Sequence, residues 1–310
     1  MPSIKKIQDS IQKLTTIVSE RTALLKAEPN NFFNNLTLES VKSQISELQH
    51  QLYQENLKRE KEIVQLRLRG KIANLGNFPL SMVGGLTNSF SNAIFQTSKY
   101  FQFGNKGGAK IENTINQAID LRLEGLGRGS TIFYLSAKTS PDLFGSSIIQ
   151  SSLDNVFDLL NSETPEQIIN NIPIVGSKSI KYYADFFEEL NKDDLELDLM
   201  WHTPNETVKN WEGTKEKIDL LQTTLKSIKF SEPEEISFEG KIITLSLKGR
   251  FEIFSTDKER FSGIFPNGLL EQIKLLHIGE FCKGTIFKTI IFNNAVRKEK
   301  CEYILTDIQV

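Results

Sequence analysis

The chain has 310 residues, 39% of them apolar and 25% charged, with 37 Lys/Arg against 39 Asp/Glu and a formal charge of -2. This is the balance of a folded protein of two or three domains, and it excludes a disordered polyelectrolyte or a uniformly basic nucleic-acid coat. No stretch reaches the roughly 20 apolar residues of a membrane span: residues 72–103 come nearest and are interrupted by Asn74, Asn77, Ser81, Asn88 and Asn92.

At the amino end, Ile4, Ile7, Ile11, Leu14, Val18 and Leu25 recur at three- and four-residue spacing. After a break at Pro29-Asn30-Asn31 the spacing returns in Leu38, Val41, Ile45, Leu48 and Leu52. The pattern predicts a helical hairpin or coiled coil over residues 1–61, its second helix capped at Thr37. A narrow apolar seam cannot be buried by one helix. Ile7, Ile11, Leu14, Val18, Val41, Ile45, Leu48 and Leu52 are therefore the expected interface, with each other, with the body or with another copy. Lys5 and Lys6 precede an amphipathic segment rather than an apolar one, so no cleaved leader is expected and the location is read as cytoplasmic.

Residues 62–231 read as a second domain. Ile63 to Ile72 alternates, with Val64, Leu66 and Leu68 on one face and Arg67, Arg69 and Lys71 on the other, as a strand does. Pro79 opens a helix that carries Val83, Leu86, Phe90 and Ile94 and ends at Gly104. A short helix to Ile119 is followed by a hairpin over Leu121–Glu124 and Ser130–Ala137, turning through Gly125 to Gly129. Helices follow after Pro141 and over Pro165–Leu190, then a strand at Leu195–Trp201 and a polar helix over Val208–Ile228. Strand, helix, two strands, helix and strand in this order predict a split βαβ-like α+β domain with a helical insertion.

The break Glu232-Pro233-Glu234-Glu235 marks a third domain, residues 232–310. Three strands (Ile236–Leu247, Arg250–Ser255, Arg260–Phe265), a helix (Leu269–Leu276) and two strands (Phe281–Phe292, Glu302–Ile308) give the order of a small OB-like β-barrel. Cys282 and Cys301 fall in its last two strands and are read as reduced thiols. The fold class is thus α+β: a hairpin, a central α+β domain and a barrel.

The chemistry is sparse. No triad, no CxxC and no HxxxH occurs, so no catalytic residue, metal or cofactor is expected. His202 beside Glu196 and Asp198 is the best dispersed site for an enzyme such as a divergent metal-dependent nuclease, and Glu239-Gly240-Lys241 is a chance tripeptide. Charge is unevenly spread: Glu62–Ser140 holds nine Lys/Arg against four Asp/Glu, and Pro141–Glu235 holds eight against nineteen. Either the two regions face each other or the basic one meets an anionic partner. Arg67, Arg69 and Lys71 on the strand, with Lys106, Lys110 and Arg128 in the glycine-rich loops, would form that anion-binding surface. Lys248, Arg250, Phe251, Phe254, Lys258, Arg260 and Phe261 would extend it onto the barrel with charge and interleaved aromatics. The leading expectation is a non-enzymatic assembly or adaptor protein that pairs with a protein partner or forms a homo-oligomer through the seam. Nucleic-acid or nucleotide binding is the alternative, and no membrane partner is expected.

Overall fold

The computed structural model describes residues 4–27, 31–57, 61–73, 78–127, 131–138, 147–202, 208–246, 249–294 and 298–309. The chain divides into two compact units, Met1–Glu60 and Lys61–Val310. Among the described residues no helix is long and apolar enough to cross a membrane.

The first unit is two helices, α1 (Ile4–Ala27) and α2 (Phe32–Leu57), packed on each other. At 24 and 26 residues they are about 36–39 Å long. Helix α2 begins at Phe32 rather than Thr37, because Asn31 supplies the better cap. Its Oδ1 accepts from the Asn34 N–H at 3.1 Å and its carbonyl from the Asn35 N–H. The Thr37 hydroxyl instead donates back to the Phe33 carbonyl from within the helix, at 2.7 Å.

The second unit opens with β1 (Lys61–Arg69), α3 (Leu80–Phe103), α4 (Ala109–Ile119), β2 (Arg122–Gly127) and β3 (Thr131–Lys138). It continues with α5 (Ile148–Leu160), α6 (Pro165–Val175), α7 (Ser177–Lys192), β4 (Glu196–His202), β5 (Val208–Gly213) and α8 (Lys215–Lys226). The five strands form one sheet in the order β2-β3-β1-β4-β5, every neighbouring pair antiparallel. Alternation decides which face is dry: Val64, Leu66 and Leu68 of β1 and Leu197, Leu199 and Trp201 of β4 join one core with Phe90, Phe157, Tyr183 and Phe187 of the helices. Helix α5 starts where Ser147 and Gln150 cap each other reciprocally. The expected polar helix over Val208–Ile228 is a strand followed by a helix. Trp211 and Gly213 are buried while Val208, Asn210 and Glu212 are exposed, so the first six residues follow a period of two.

Strands β6 (Ile228–Phe230), β7 (Glu234–Ser246), β8 (Arg250–Ser255) and β9 (Arg260–Ile264) lead to a short helical stretch, a 3-10 turn at Asn267–Leu269 and α9 (Leu270–Ile273). Strands β10 (Phe281–Asn293) and β11 (Lys298–Gln309) end the chain. The pairings β7–β8, β8–β9, β9–β11, β11–β10 and β10–β7 close a five-stranded barrel, consistent with an OB-like barrel. The β9–β11 contact, Ile264 with Ile304, is parallel. Strand β6 adds to β10 outside the ring. Phe238, Ile242, Phe251, Ile253, Phe261 and Leu305 fill the interior. Closure brings backbones close: a Cβ at Gly263 would lie 2.0 Å from the Tyr303 carbonyl oxygen. The barrel is tied to the helical layer by the Tyr100 hydroxyl, which donates to Glu302 Oε1 at 2.7 Å, and by Asn267 donating to Gln102.

Candidate interaction surfaces

In the hairpin, Ile7 and Val41 are buried and Ile11, Leu14, Val18, Leu25, Leu38, Ile45 and Leu48 are half-buried. Leu52 lies on α2, its side chain outside the described residues. Ile17 and Leu24 of α1, seven residues apart and so on one stripe, are 36% and 49% exposed, and Leu36 of α2 is 54% exposed. This second row flanks the seam and is absent from the sequence-derived list, since a heptad reading counts only the innermost positions. The helices also differ in charge. Helix α1 carries Lys5, Lys6, Lys13, Arg21 and Lys26 against Asp9 and Glu20. Helix α2 carries Glu39, Glu47 and Glu55 against Lys42.

The cationic face of β1 meets acidic strands. In the β1–β4 register Arg67 stands opposite Asp198 and Arg69 opposite Glu196, and β5 sets Glu212 beside Asp198. The Arg69 guanidinium forms ion pairs with Asp198 (2.9 Å), Glu196 (3.3 Å) and Glu212 (3.5 Å). The basic and acidic sequence regions thus face each other here, so an anion arriving at Arg69 has to displace three carboxylates. Arg67 and Lys71 are exposed. Lys106 and Lys110 are exposed on either side of Gly108, where α4 begins. Arg128 lies outside the described residues.

The dispersed enzyme site does not converge. Glu196 and Asp198 are engaged by Arg69, and His202 sits six residues from Glu196 at the other end of β4, about 20 Å away. Among the described residues no group of His, Cys, Asp or Glu is arranged to hold a metal ion. Cys301 stands opposite Ile290, eight residues along β10 from Cys282 and about 26 Å from it, and both thiols are free. Burial pushes the Cys282 thiol up to about 11.

On the barrel, Phe251 and Phe261 point inward, whereas Phe254 (45%) and Phe281 (63%) are exposed. The register joins Arg260 to Phe254, Phe254 to Lys241 and Lys241 to Phe281, so cation and aromatic alternate across β9, β8, β7 and β10. Arg260 also pairs with Glu252 on β8.

Among the described residues, three buried charged groups escaped the sequence reading. Glu62, fully buried, accepts from Trp201 Nε1 and Gln150 Nε2, both at 2.8 Å. It continues the Val64, Leu66, Leu68 alternation by one step, which was the available signal. Lys99 is buried in α3 and paired with Glu112 at 2.9 Å. Glu302 is 2% exposed, and burial holds its carboxyl above the ordinary carboxylate value. No protein-family model, curated protein or solved structure matches the chain.

Proposed function

We propose that this chain is a non-enzymatic assembly protein whose hairpin pairs with the hairpin of a second copy. The observation that carries the proposal is the incomplete cover of the apolar residues of α1 and α2. Seam positions Ile11, Leu14, Ile45 and Leu48 are only half-buried, and a flanking row at Ile17 and Leu24 is exposed. Two helices bury one seam; a second row is what a bundle of four helices covers. Charge favours a second copy as the occupant, because a two-fold arrangement sets the basic α1 against the acidic α2 of its mate.

Ile17→Glu combined with Leu24→Glu tests this, since both would set carboxylates against the acidic α2 of the mate. Both side chains are at least a third exposed, so the hairpin stays folded by circular dichroism while the mass in light scattering falls to that of one chain. An unchanged mass from a folded variant contradicts self-pairing through this face. Loss of a heterologous partner with no change of mass points to an adaptor instead.

A second reading rests on the Arg260, Phe254, Lys241, Phe281 row, whose rings lie two strands apart, about 10 Å. Exposed rings with intervening cations are what unstacked bases and their phosphates require, each stacked base contributing about 1–3 kcal/mol. On this reading a fluorescent single-stranded oligonucleotide binds at low salt, and Phe254→Ala or Phe281→Ala weakens it at least several-fold. Equal binding by both variants and the wild type sinks it.

A further inference from the structure

A cleft of about 680 Å³ opens in the helical layer of the second unit, between α3, α4, α7, α8 and β6. Its size falls within the range of small-molecule sites. Four lysines line it, Lys99, Lys178, Lys181 and Lys226, against two carboxylates, Glu112 and Asp185. Lys178 and Lys181 project from the first turns of α7 at a three-residue spacing, hence on one side of that helix, and both are exposed. Lys99 is different: its side chain is only 7% exposed, and the one carboxylate that meets it, Glu112, is half open to solvent. A lysine is seldom buried with so little compensation. Lys226 is held by Glu188 at 2.6 Å. Apart from Gln96 and Ser177, the remainder of the lining is apolar or aromatic, including Tyr182 and Phe230.

We infer that this cleft binds a small phosphate ester: an oligophosphate or phosphate monoester attached to an apolar or aromatic body, as in a nucleotide. Lys178 and Lys181 supply point charges to the phosphate oxygens, and Lys99 gives the cleft a cationic wall. Tyr182 and Phe230 provide apolar area for the body of the ligand. A long polymer is disfavoured, because the cations line one cleft instead of forming a track. The inference does not depend on the hairpin.

The test is calorimetric titration of the full-length protein with ATP, tripolyphosphate and adenosine at low salt. ATP binds, tripolyphosphate binds more weakly, and adenosine does not bind. Lys178→Glu with Lys181→Glu lowers the ATP affinity by about tenfold or more, while the distant Lys283→Glu leaves it unchanged. Both lysines are exposed, so the variant folds, and an unchanged thermal unfolding profile without ligand verifies this. Absence of binding by both phosphate probes overturns the inference, as does an α7 variant that binds ATP as well as the wild type does. A shift in oligomeric mass plays no part in the readout, so failure here and failure of the assembly proposal are separable.

Discussion

Glu302 and Glu62 show how differently two buried carboxylates behave. Burial raises the Glu302 carboxyl above its ordinary 4.5, and among the described residues its second oxygen has no hydrogen-bond partner. Between 4.5 and that raised value the native state keeps a proton that the unfolded chain has lost, so stability falls as pH rises through this window. Glu302→Gln, which retains an acceptor for the Tyr100 hydroxyl, should flatten this slope and raise the unfolding midpoint more at pH 8 than at pH 4.5. A variant with the wild-type slope would show that Glu302 is ionised in the fold. Glu62 by contrast is fully partnered. Glu62→Ala leaves the indole N–H of Trp201 buried without an acceptor and opens a cavity, at a cost of about 3 kcal/mol. Urea unfolding measures that loss, and a double-mutant cycle with Trp201→Phe should recover a coupling of about 1 kcal/mol or more. Gly176 joins α6 to α7 at a φ of 85°, with the Tyr100 ring 2.4 Å from where a Cβ would stand. Gly176→Ala should therefore destabilise by more than about 2 kcal/mol, again read by urea unfolding.

At the scale of elements, the barrel was legible because its strands alternate and are punctuated by Gly and Pro, and because strand number and helix position are local properties of the chain. β1 was legible for the same reason, as Val64, Leu66 and Leu68 fall on one face. Which strands lie beside it was not: the pairing of Arg67 and Arg69 with Asp198 and Glu196 joins residues about 130 apart, and one sequence carries no record of such contacts. From the sequence the basic run therefore reads either as a surface for an anion or as one that faces acidic neighbours, and in the fold Arg69 meets three carboxylates. β5 was hidden because Trp211 and Gly213 offer only two buried positions, too few to outweigh the helical composition that follows. The start of α2 was hidden because a run of asparagines resembles a loop, although one of them, Asn31, is the cap. The cleft at α7 could not be read at all. Lys99, Lys178, Lys181 and Lys226 lie on three helices and meet only once these pack.

For the whole molecule, the proposed assembly rests on the incompletely covered seam and flanking row of the first unit and on the charge contrast between α1 and α2. If opposite charges hold two hairpins together, association weakens as salt rises from about 0.05 to 0.5 M, where the screening length drops to a few Å. A purely apolar interface would be indifferent or strengthened. The most direct measurement is the mass of the full chain in solution, by light scattering or sedimentation across a concentration series. A single chain has a mass of 35.2 kDa. The account predicts a species of twice that mass at micromolar concentration that dissociates on dilution. A mass of one chain throughout, up to the solubility limit, would contradict it.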